Sequence, residues 1–122
     1  MSFMLLIHEQ RGDREQRTQS EAVALYDEMV AFGEALASDG LLVRAESLKS
    51  DKDAVRLEVR EGEMQLLDGP FAESKEMIGG FFLLNCATQA EAIEIAKRCP
   101  ATRFASVVVR ELAPCHEGSS HD

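Results

Sequence analysis

Two strand-length runs in this 122-residue chain are apolar on both of their alternating sides, which limits the folds open to it. They are residues 3–7 (Phe-Met-Leu-Leu-Ile) and residues 81–86 (Phe-Phe-Leu-Leu-Asn-Cys), where Asn85 is the one polar exception. Successive side chains of a strand point to opposite faces of its sheet, so such strands need cover on both faces. The chain is therefore predicted to form a sheet that is packed on both sides.

Two helices are predicted between the strands, each opening with a capping-box pattern. The first helix begins at Thr18, whose side chain can accept a hydrogen bond from the amide of Glu21, and it ends at Gly40. The second helix begins at Thr88 and ends before Pro100. Apolar residues at spacings of three and four predict one core-facing stripe on the first helix: Ala22, Leu25, Met29, Phe32 and Leu36.

The order of the predicted elements is β-α-β-hairpin-β-α-β. The strands are residues 3–8, 41–48, a hairpin at 54–67, then 79–86 and 106–112. This order predicts an α+β fold, a ferredoxin-like split βαβ sandwich with an inserted β-hairpin. We expect a single domain over residues 1–113 and a flexible tail over residues 114–122.

Two helices can cover only one face of such a sheet. The other face is predicted to pack on a second copy of the chain, which gives a two-fold homodimer. The competing interpretation is a monomer whose own hairpin covers that face.

The composition limits the classes of binding partner and the cellular compartment expected for this protein. The formal net charge of −9 argues against binding to nucleic acid or to anionic membranes. The apolar runs are too short to span a membrane, and the first residues do not resemble a signal peptide. Three cysteines without CxxC spacing favour a reducing cytoplasm.

No motif predicts a metal or a cofactor. Cys115 and His116 with His121 and Asp122 do not make a complete ligand set at useful spacing. The chain has no nucleotide-binding loop, nucleophile elbow or zinc-protease motif. We expect no cofactor and no metal.

The candidate site is residues 68–76 (Asp-Gly-Pro-Phe-Ala-Glu-Ser-Lys-Glu), which enter a strand through the pair Gly79-Gly80. In a split βαβ sheet the first strand runs antiparallel beside the third core strand. The end of the first strand at His8, the arginine-rich residues 11–17 and the start of the first helix should therefore meet this loop at one end of the domain.

Each of these residues has a functional and a structural interpretation. Asp68 is the candidate general base, with His8 or Tyr26 as the acid; alternatively, Asp68 bonds the backbone of its own turn. The candidate ligand-binding residues are Phe71, Glu73, Lys75, Gly79 and Gly80. Their structural alternatives are a core aromatic, solvated charges, and a β-bulge or close backbone approach at the glycine pair.

Residues 68–76 followed by Gly79-Gly80-Phe81 resemble the signature of the DGPF branch of the YCII-related family, and residues 3–7, 40–42 and 107–110 resemble other parts of it. The resemblance implies a ferredoxin-like α/β-barrel-type dimer. Some proteins of this family are small lyase-type enzymes acting on aromatic compounds, and members of the DGPF branch occur near or joined to extracytoplasmic-function sigma factors. The enzyme-like branch carries a His on the first helix that is thought to pair with an Asp; here that helix has Tyr26 and no His. This leaves Asp68 as the carboxylate of the family motif.

Three functions remain open. The first is a small-molecule-binding or accessory module, in which the helix N-terminus and the arginines favour an anionic or polar ligand. The second is a metal-free lyase-type enzyme that performs proton abstraction or elimination on a small polar or aromatic compound. The third is a purely structural dimer.

Overall fold

A four-stranded antiparallel sheet forms the centre of the protein in the computed structural model, which describes residues 2–71 and 73–118. In chain order the elements are β1 (Ser2–Gln10), α1 (Asp13–Gln16), α2 (Gln19–Ser38), β2 (Leu42–Ser47), β3 (Val55–Arg60), β4 (Glu63–Asp68), β5 (Glu76–Asn85), α3 (Gln89–Lys97) and β6 (Ser106–Glu111). The main sheet has the order β2-β5-β1-β6, with β5 inserted between β1 and β2 and antiparallel to both. This order is consistent with the predicted ferredoxin-like α+β fold.

The core lies between this sheet and the helices α2 and α3. Alternate residues of β1 (Phe3, Leu5 and Ile7) are buried towards the helices, while Met4 and Leu6 between them face the other side. The same alternation in β5 buries Phe82 and Leu84 and leaves Phe81 and Leu83 partly exposed. Both strands are therefore apolar on both faces, and α2 and α3 cover one face only.

The helix boundaries follow the predicted signals. Thr18 forms a complete capping box, accepting from the amide of Glu21 at 3.1 Å while the Glu21 carboxylate accepts from the amide of Thr18 at 2.8 Å. At the second helix Thr88 accepts from the amide of Glu91, but the Glu91 carboxylate accepts from the amide of Ala87 instead of Thr88. The first box is thus reciprocal and the second is shifted by one residue.

The hairpin of β3 and β4 forms a separate two-stranded sheet. Its turn uses Glu61 and Gly62, both at positive φ, as two-residue hairpins require. In the part of the chain that the structure describes, the hairpin does not pack extensively on the main sheet or the helices. The alternative in which the hairpin covers its own sheet is therefore wrong.

Strands β1 and β5 extend further than the apolar runs predicted. The two strands remain paired with each other as far as Gln10 and Glu76, because their hydrogen-bonded ladder continues past a register shift at Gly79. The short helix α1 and the 3₁₀ turns Asp51–Asp53 and Pro100–Arg103 were not predicted. Within the described residues, no helix combines the length and apolar character needed to cross a membrane.

Candidate functional site

Two cavities lie on opposite faces of the main sheet, close to the end of β1. The helix-side cavity, of about 740 Å³, lies between α2 and the sheet. The loop-side cavity, of about 700 Å³, lies on the other face and is lined by His8, Gln10, residues 73–76 and Ile78. The sheet therefore separates residues that sequence analysis placed in one pocket.

The walls of the helix-side cavity are mainly apolar. Leu25, Met29 and Gly33 contribute from α2, Ala45 from β2 and Phe82 from β5. Along the predicted core stripe of α2, Leu36 is buried, whereas Ala22 and Leu25 near the start of the helix line this cavity. The early part of the stripe is thus a cavity wall instead of core.

An ion pair between a buried glutamate and a partly exposed arginine lines the helix-side cavity. Glu9 continues the helix-facing alternation of β1 and is only 5% exposed. Its Oε1 accepts from Arg14 Nε at 2.6 Å and its Oε2 from Arg14 Nη2 at 3.2 Å. The short helix α1 turns the chain back after β1 and brings Arg14 to the Glu9 carboxylate. Since a buried carboxylate needs a partner, Arg14 is what allows Glu9 to lie there.

Gly79 makes room for this pair. An ideal Cβ on Gly79 would overlap Glu9 Oε2 and would lie 2.9 Å from Glu9 Cδ and 3.1 Å from Arg14 Nη2. On Gly80, a Cβ would lie 2.7 Å from the backbone oxygen of Glu46 in β2. The predicted bulge and close approach at the glycine pair are both confirmed, and both glycines line the helix-side cavity.

Five more polar residues line the helix-side cavity: Arg17, Tyr26, Glu34, Glu46 and Ser47. The Arg17 guanidinium lies 4.9 Å from the centroid of the Phe104 ring, a cation–π contact. Tyr26, on the first half of α2, is 58% exposed. The lining of the cavity therefore includes a cation on an aromatic ring, a phenol and two further glutamates in addition to the ion pair.

The loop-side cavity is lined by charged side chains of residues 68–76, which we call the signature loop. His8 Nδ1 lies 3.9 Å from Glu76 Oε1. Glu73 is paired with Arg56, and a hydrogen bond from its own backbone, followed by the bond from Arg56, lowers the pKa of the Glu73 carboxyl. Lys75 is exposed at the same edge. This cavity is open, and two carboxylates, an ammonium group and an imidazole line it.

The signature loop is held by an anchor that sequence analysis did not identify. Arg11 pairs through two nitrogens with both carboxylate oxygens of Asp51, and its Nε donates to the backbone oxygen of Ser74. The hydrogen bond from Arg11 lowers the pKa of the Asp51 carboxyl. Gly69 passes so close to the Asp51 backbone oxygen that a Cβ would overlap it. The Arg11–Asp51 pair therefore anchors the loop at Ser74, and the Asp51 backbone packs against Gly69.

The predicted catalytic residues do not meet in this chain. Asp68 is exposed at the end of β4, lies outside both cavities, and its side chain has no hydrogen bond within the described residues. His8 and Tyr26 line cavities on opposite faces of the sheet. The expectation that these residues share one pocket is wrong, because the sheet lies between the two cavities. The catalytic roles of these residues stay predictions.

The predicted ligand-binding residues are divided in the same way. Gly79 and Gly80 line the helix-side cavity, and Glu73 and Lys75 line the loop-side cavity. Phe71 lines neither; its ring lies 4.2 Å below the Arg56 guanidinium, where it joins the loop to the hairpin.

The residues that sequence analysis missed are Glu9 and Asp51. The period-two alternation of β1 extends to Glu9 and was the signal that could have identified it as a buried residue. Asp51 gave no such signal, because its partner Arg11 is distant in sequence. Across residues 2–71 and 73–118, no three His, Cys, Asp or Glu side chains are grouped to hold a metal ion. The predicted absence of a metal at His121 and Asp122 concerns residues outside the described ones.

Comparison with known proteins found a matching family model, a similar sequence and similar solved structures. The family model of the YCII-related domain matches residues 1–115. An uncharacterized protein, R00369, of Rhizobium meliloti (strain 1021) is 50% identical over 36 residues, which cover 30% of this chain and 29% of that protein. The structure of 5-chloro-2-hydroxyhydroquinone dehydrochlorinase (TftG) from Burkholderia phenoliruptrix AC1100, in complex with 2,5-dihydroxybenzoquinone, matches with a TM-score of 0.54 at 16% identity, covering 93% of this chain and 94% of that one.

Proposed function

The chain belongs to the YCII-related domain family, and on that premise we propose that it binds a small molecule in the helix-side cavity. The ligand has an apolar body and a hydrogen-bond-accepting group, an anionic one above all, placed at Arg14. The observation that carries the proposal is the pairing of the buried Glu9 with the partly exposed Arg14 in the lining of a mainly apolar cavity.

The dimensions and lining of the cavity support this proposal. Its volume of about 740 Å³ falls in the range of small-molecule sites, roughly 300–1,000 Å³. Such sites combine apolar walls with a few fixed polar groups that orient the ligand. Phe82, Leu25 and Met29 supply the walls, and the ion pair supplies the fixed group.

Arg14 has donors to spare for a ligand. A guanidinium has five N–H donors, and Glu9 occupies one on Nε and one on Nη2. The remaining donors suit a carboxylate or another oxygen acceptor. Arg17 adds a second positive charge to the lining of the cavity, which also includes Glu34 and Glu46 besides the paired Glu9. Both arginines agree with the anionic or polar ligand expected from the sequence.

Acid–base catalysis is a second candidate function. Glu9 is a buried carboxylate at the end of a cavity, which is the environment of many catalytic carboxylates. The structural neighbour TftG is a dehydrochlorinase. We infer from the fold of TftG that this architecture can enclose a substrate. For the present chain, the enzyme alternative is a metal-free lyase-type reaction on a small polar or aromatic compound.

Two finer assignments are part of the proposal. We place the chain in the DGPF branch, on the signature at residues 68–76. We also propose that the open sheet face, opposite the helices, pairs with a second copy. Within the described residues, no helix covers this face. It carries the charged residues Arg44, Glu46 and Arg110 and these partly or well exposed apolar side chains: Met4, Leu6, Ile78, Phe81, Leu83 and Val108.

A matched set of probes tests the binding site. Benzoate and cyclohexanecarboxylate have an apolar ring and a carboxylate, and benzamide is the neutral counterpart. Ligands that bind the folded protein raise its melting temperature with concentration. We expect a shift with the carboxylates, a smaller shift with benzamide, and no shift in Arg14→Gln.

His8→Ala is the control from the opposite face of the sheet, and it should bind the carboxylates as the wild type does. Binding that survives Arg14→Gln and is lost in His8→Ala would place the site in the loop-side cavity and contradict the proposal. Far-UV circular dichroism of both variants ensures that folded proteins are compared.

A further inference from the structure

The helix-side cavity is long and narrow, because its lining follows α2 for most of the length of the helix. The residues of α2 that line it recur at spacings of three and four and therefore share one face: Ala22, Leu25, Tyr26, Met29, Val30, Gly33, Glu34 and Ala37. At about 1.5 Å per residue, this stretch of α2 is roughly 22 Å long. A volume of about 740 Å³ spread over this length leaves a mean cross-section of only roughly 35 Å².

The sheet side of the cavity has a similar length. The chain turns after α2 and returns as β2, so Leu42 at the start of this strand lies beside Gly33 near the end of the helix; a Cβ on Gly33 would be 3.9 Å from Leu42 Cδ2. At the other end of the strand, the amide of Leu48 donates to the backbone oxygen of Gly79 at 2.8 Å. Both Leu42 and Leu48 line the cavity. The six residues of β2 between these ends span roughly 17 Å.

The basic residues of the cavity lie at one of its two ends. Arg14 lies beside Gly79, where a Cβ would be 3.1 Å from Arg14 Nη2. Arg17 directly precedes the cap of α2, at the same end. The opposite end, where α2 finishes, is lined by Ala37 and the acidic Glu34. The cavity therefore has a cationic end and an apolar-to-acidic end.

The remaining charges of the lining do not cancel this polarity. Glu9 is paired with Arg14, and Glu46 is paired with Arg44. These two pairs are neutral as units. Among the described residues that line the cavity, the charges outside them are Arg17 at one end and the carboxylate near the end of α2 at the other.

We propose that the ligand of the helix-side cavity is a free alkyl carboxylate whose chain lies extended along α2. This inference rests on the function proposed above and specifies that the apolar body of the ligand is linear. The carboxylate lies at Arg14 and Arg17, and the terminal methyl group lies between Ala37 and Leu42. Such a ligand matches the length, the narrow cross-section and the one-sided charge of the cavity.

The dimensions of the cavity predict the length of the chain. A saturated chain with C–C bonds of about 1.52 Å and angles of about 111° advances roughly 1.25 Å per bond. The strand side of the cavity, roughly 17 Å long, therefore holds about 13 bonds, which is the number in tetradecanoate. A single ring such as that of benzoate fills only the part of this length next to Arg14.

A chain-length series measured by isothermal titration calorimetry tests the proposal. The ligands are hexanoate, octanoate, decanoate, dodecanoate and tetradecanoate, each below its micellar concentration, with the full-length protein. We expect the affinity to rise by up to about fourfold for each added CH₂ across the series, because each one leaves water for the apolar walls. Arg14→Gln should weaken every member by a similar factor, since the change affects the head group alone.

Two results of this series separate the linear ligand from the underlying function. An affinity that stops rising at octanoate, with benzoate bound at least as tightly, overturns the linear ligand and leaves the proposed binding site standing. A protein that binds neither benzoate nor any alkyl carboxylate overturns the proposed function itself.

Ala37→Leu shortens the cavity at its far end. We expect tetradecanoate to bind about tenfold more weakly, through the loss of about two buried CH₂ groups, and hexanoate to bind as in the wild type. Ala35→Leu is the matched control, because Ala35 is an exposed alanine of the same helix that does not line the cavity. Identical series in the two variants would place the chain on another apolar surface and overturn the proposal.

Two modified ligands test the polarity and the source of the chain. Tetradecanedioate brings a second carboxylate to the end that holds Glu34, so it should bind more weakly than tetradecanoate. Equal or tighter binding of the diacid overturns the assigned orientation. Methyl decanoate has no charge and represents an esterified chain; if it binds as tightly as decanoate, the free acid is not the ligand.

Methionine methyl NMR locates the chain without any variant in the cavity. Met29 lines the cavity at mid-length, whereas Met64 is 64% exposed on the hairpin. We expect dodecanoate to shift the Met29 methyl signal, assigned through Met29→Leu, and to leave the Met64 signal unchanged. A shift at Met64 with none at Met29 would place the chain on the hairpin and overturn the proposal.

Discussion

Arg14 Nε donates to Glu9 Oε1 over 2.6 Å, and both residues line the helix-side cavity. Removing Arg14 leaves the buried Glu9 carboxylate without its partner. We expect Arg14→Ala to destabilise the protein by about 1–3 kcal/mol, measured by urea unfolding. Arg44→Ala is the control, because its pair with Glu46 is exposed and its loss should change stability by less than about 1 kcal/mol. Equal losses in the two variants would show that the Glu9–Arg14 pair is no more important than a surface pair.

Gly79→Ala tests the space that the ion pair occupies. The new methyl group would overlap Glu9 Oε2, so the carboxylate or the strand has to shift. We expect a destabilisation of about 1–3 kcal/mol and loss of carboxylate binding, measured by urea unfolding and thermal shift. A variant with wild-type stability and binding would contradict the role assigned to this glycine.

Gly33→Ala should separate stability from binding. Gly33 lies inside α2, where an added Cβ would be 3.5 Å from the Phe82 ring, an ordinary contact. Alanine is favoured over glycine within helices by about 0.5–1 kcal/mol, so we expect a more stable protein. The same methyl group enters the helix-side cavity, and we expect weaker binding of cyclohexanecarboxylate.

The pair of measurements on Gly33→Ala is informative because its two effects have opposite signs. A variant that is more stable and binds as tightly as the wild type would indicate that the ligand does not occupy the cavity beside Gly33. Isothermal titration calorimetry gives the affinity directly and does not depend on the melting temperature.

Asp68→Asn tests the residue that the sequence signature singles out. Because its side chain is exposed and makes no hydrogen bond within the described residues, we expect stability to change by less than about 0.5 kcal/mol. A loss well above this value would indicate that Asp68 anchors its turn. If a reaction is found, unchanged turnover in Asp68→Asn would argue against its role as the base.

The fold was predictable because its signals are local. Thr18 and Thr88 mark the helix starts, Gly40 marks a helix end, and alternation marks the faces of β1 and β5. These signals involve residues a few positions apart. The order of the elements then restricts the sheet to few topologies.

The site was only partly predictable because it depends on pairings across the sheet. The convergence of His8, the arginines and the signature loop at one end followed from topology. The alternation of β1 was not followed as far as Glu9, which faces the helices while His8 faces the loop. One residue of difference along a strand places a side chain on the other face, and here it assigns neighbouring residues to different cavities.

The Arg11–Asp51 pair predicts how stability depends on pH. The hydrogen bond from Arg11 lowers the pKa of the Asp51 carboxyl in the folded protein below its ordinary value of about 3.9. The unfolded chain therefore binds the proton more readily. The stability contributed by the pair is fully present above pH 4–5, roughly, and is lost as the pH falls through the folded pKa.

Asp51→Asn should remove this part of the acid dependence. Urea unfolding between pH 7 and pH 3 should show a smaller loss of stability in the variant than in the wild type, and a lower stability at pH 7 by about 1–3 kcal/mol. Asp53→Asn is the control, since its pair with Lys49 is exposed on the same turn. Because Arg11 also holds the Ser74 backbone oxygen, hydrogen exchange at residues 73–76 should increase in Asp51→Asn and not in Asp53→Asn. Equal exchange in the two variants would mean that the signature loop keeps its course without this anchor.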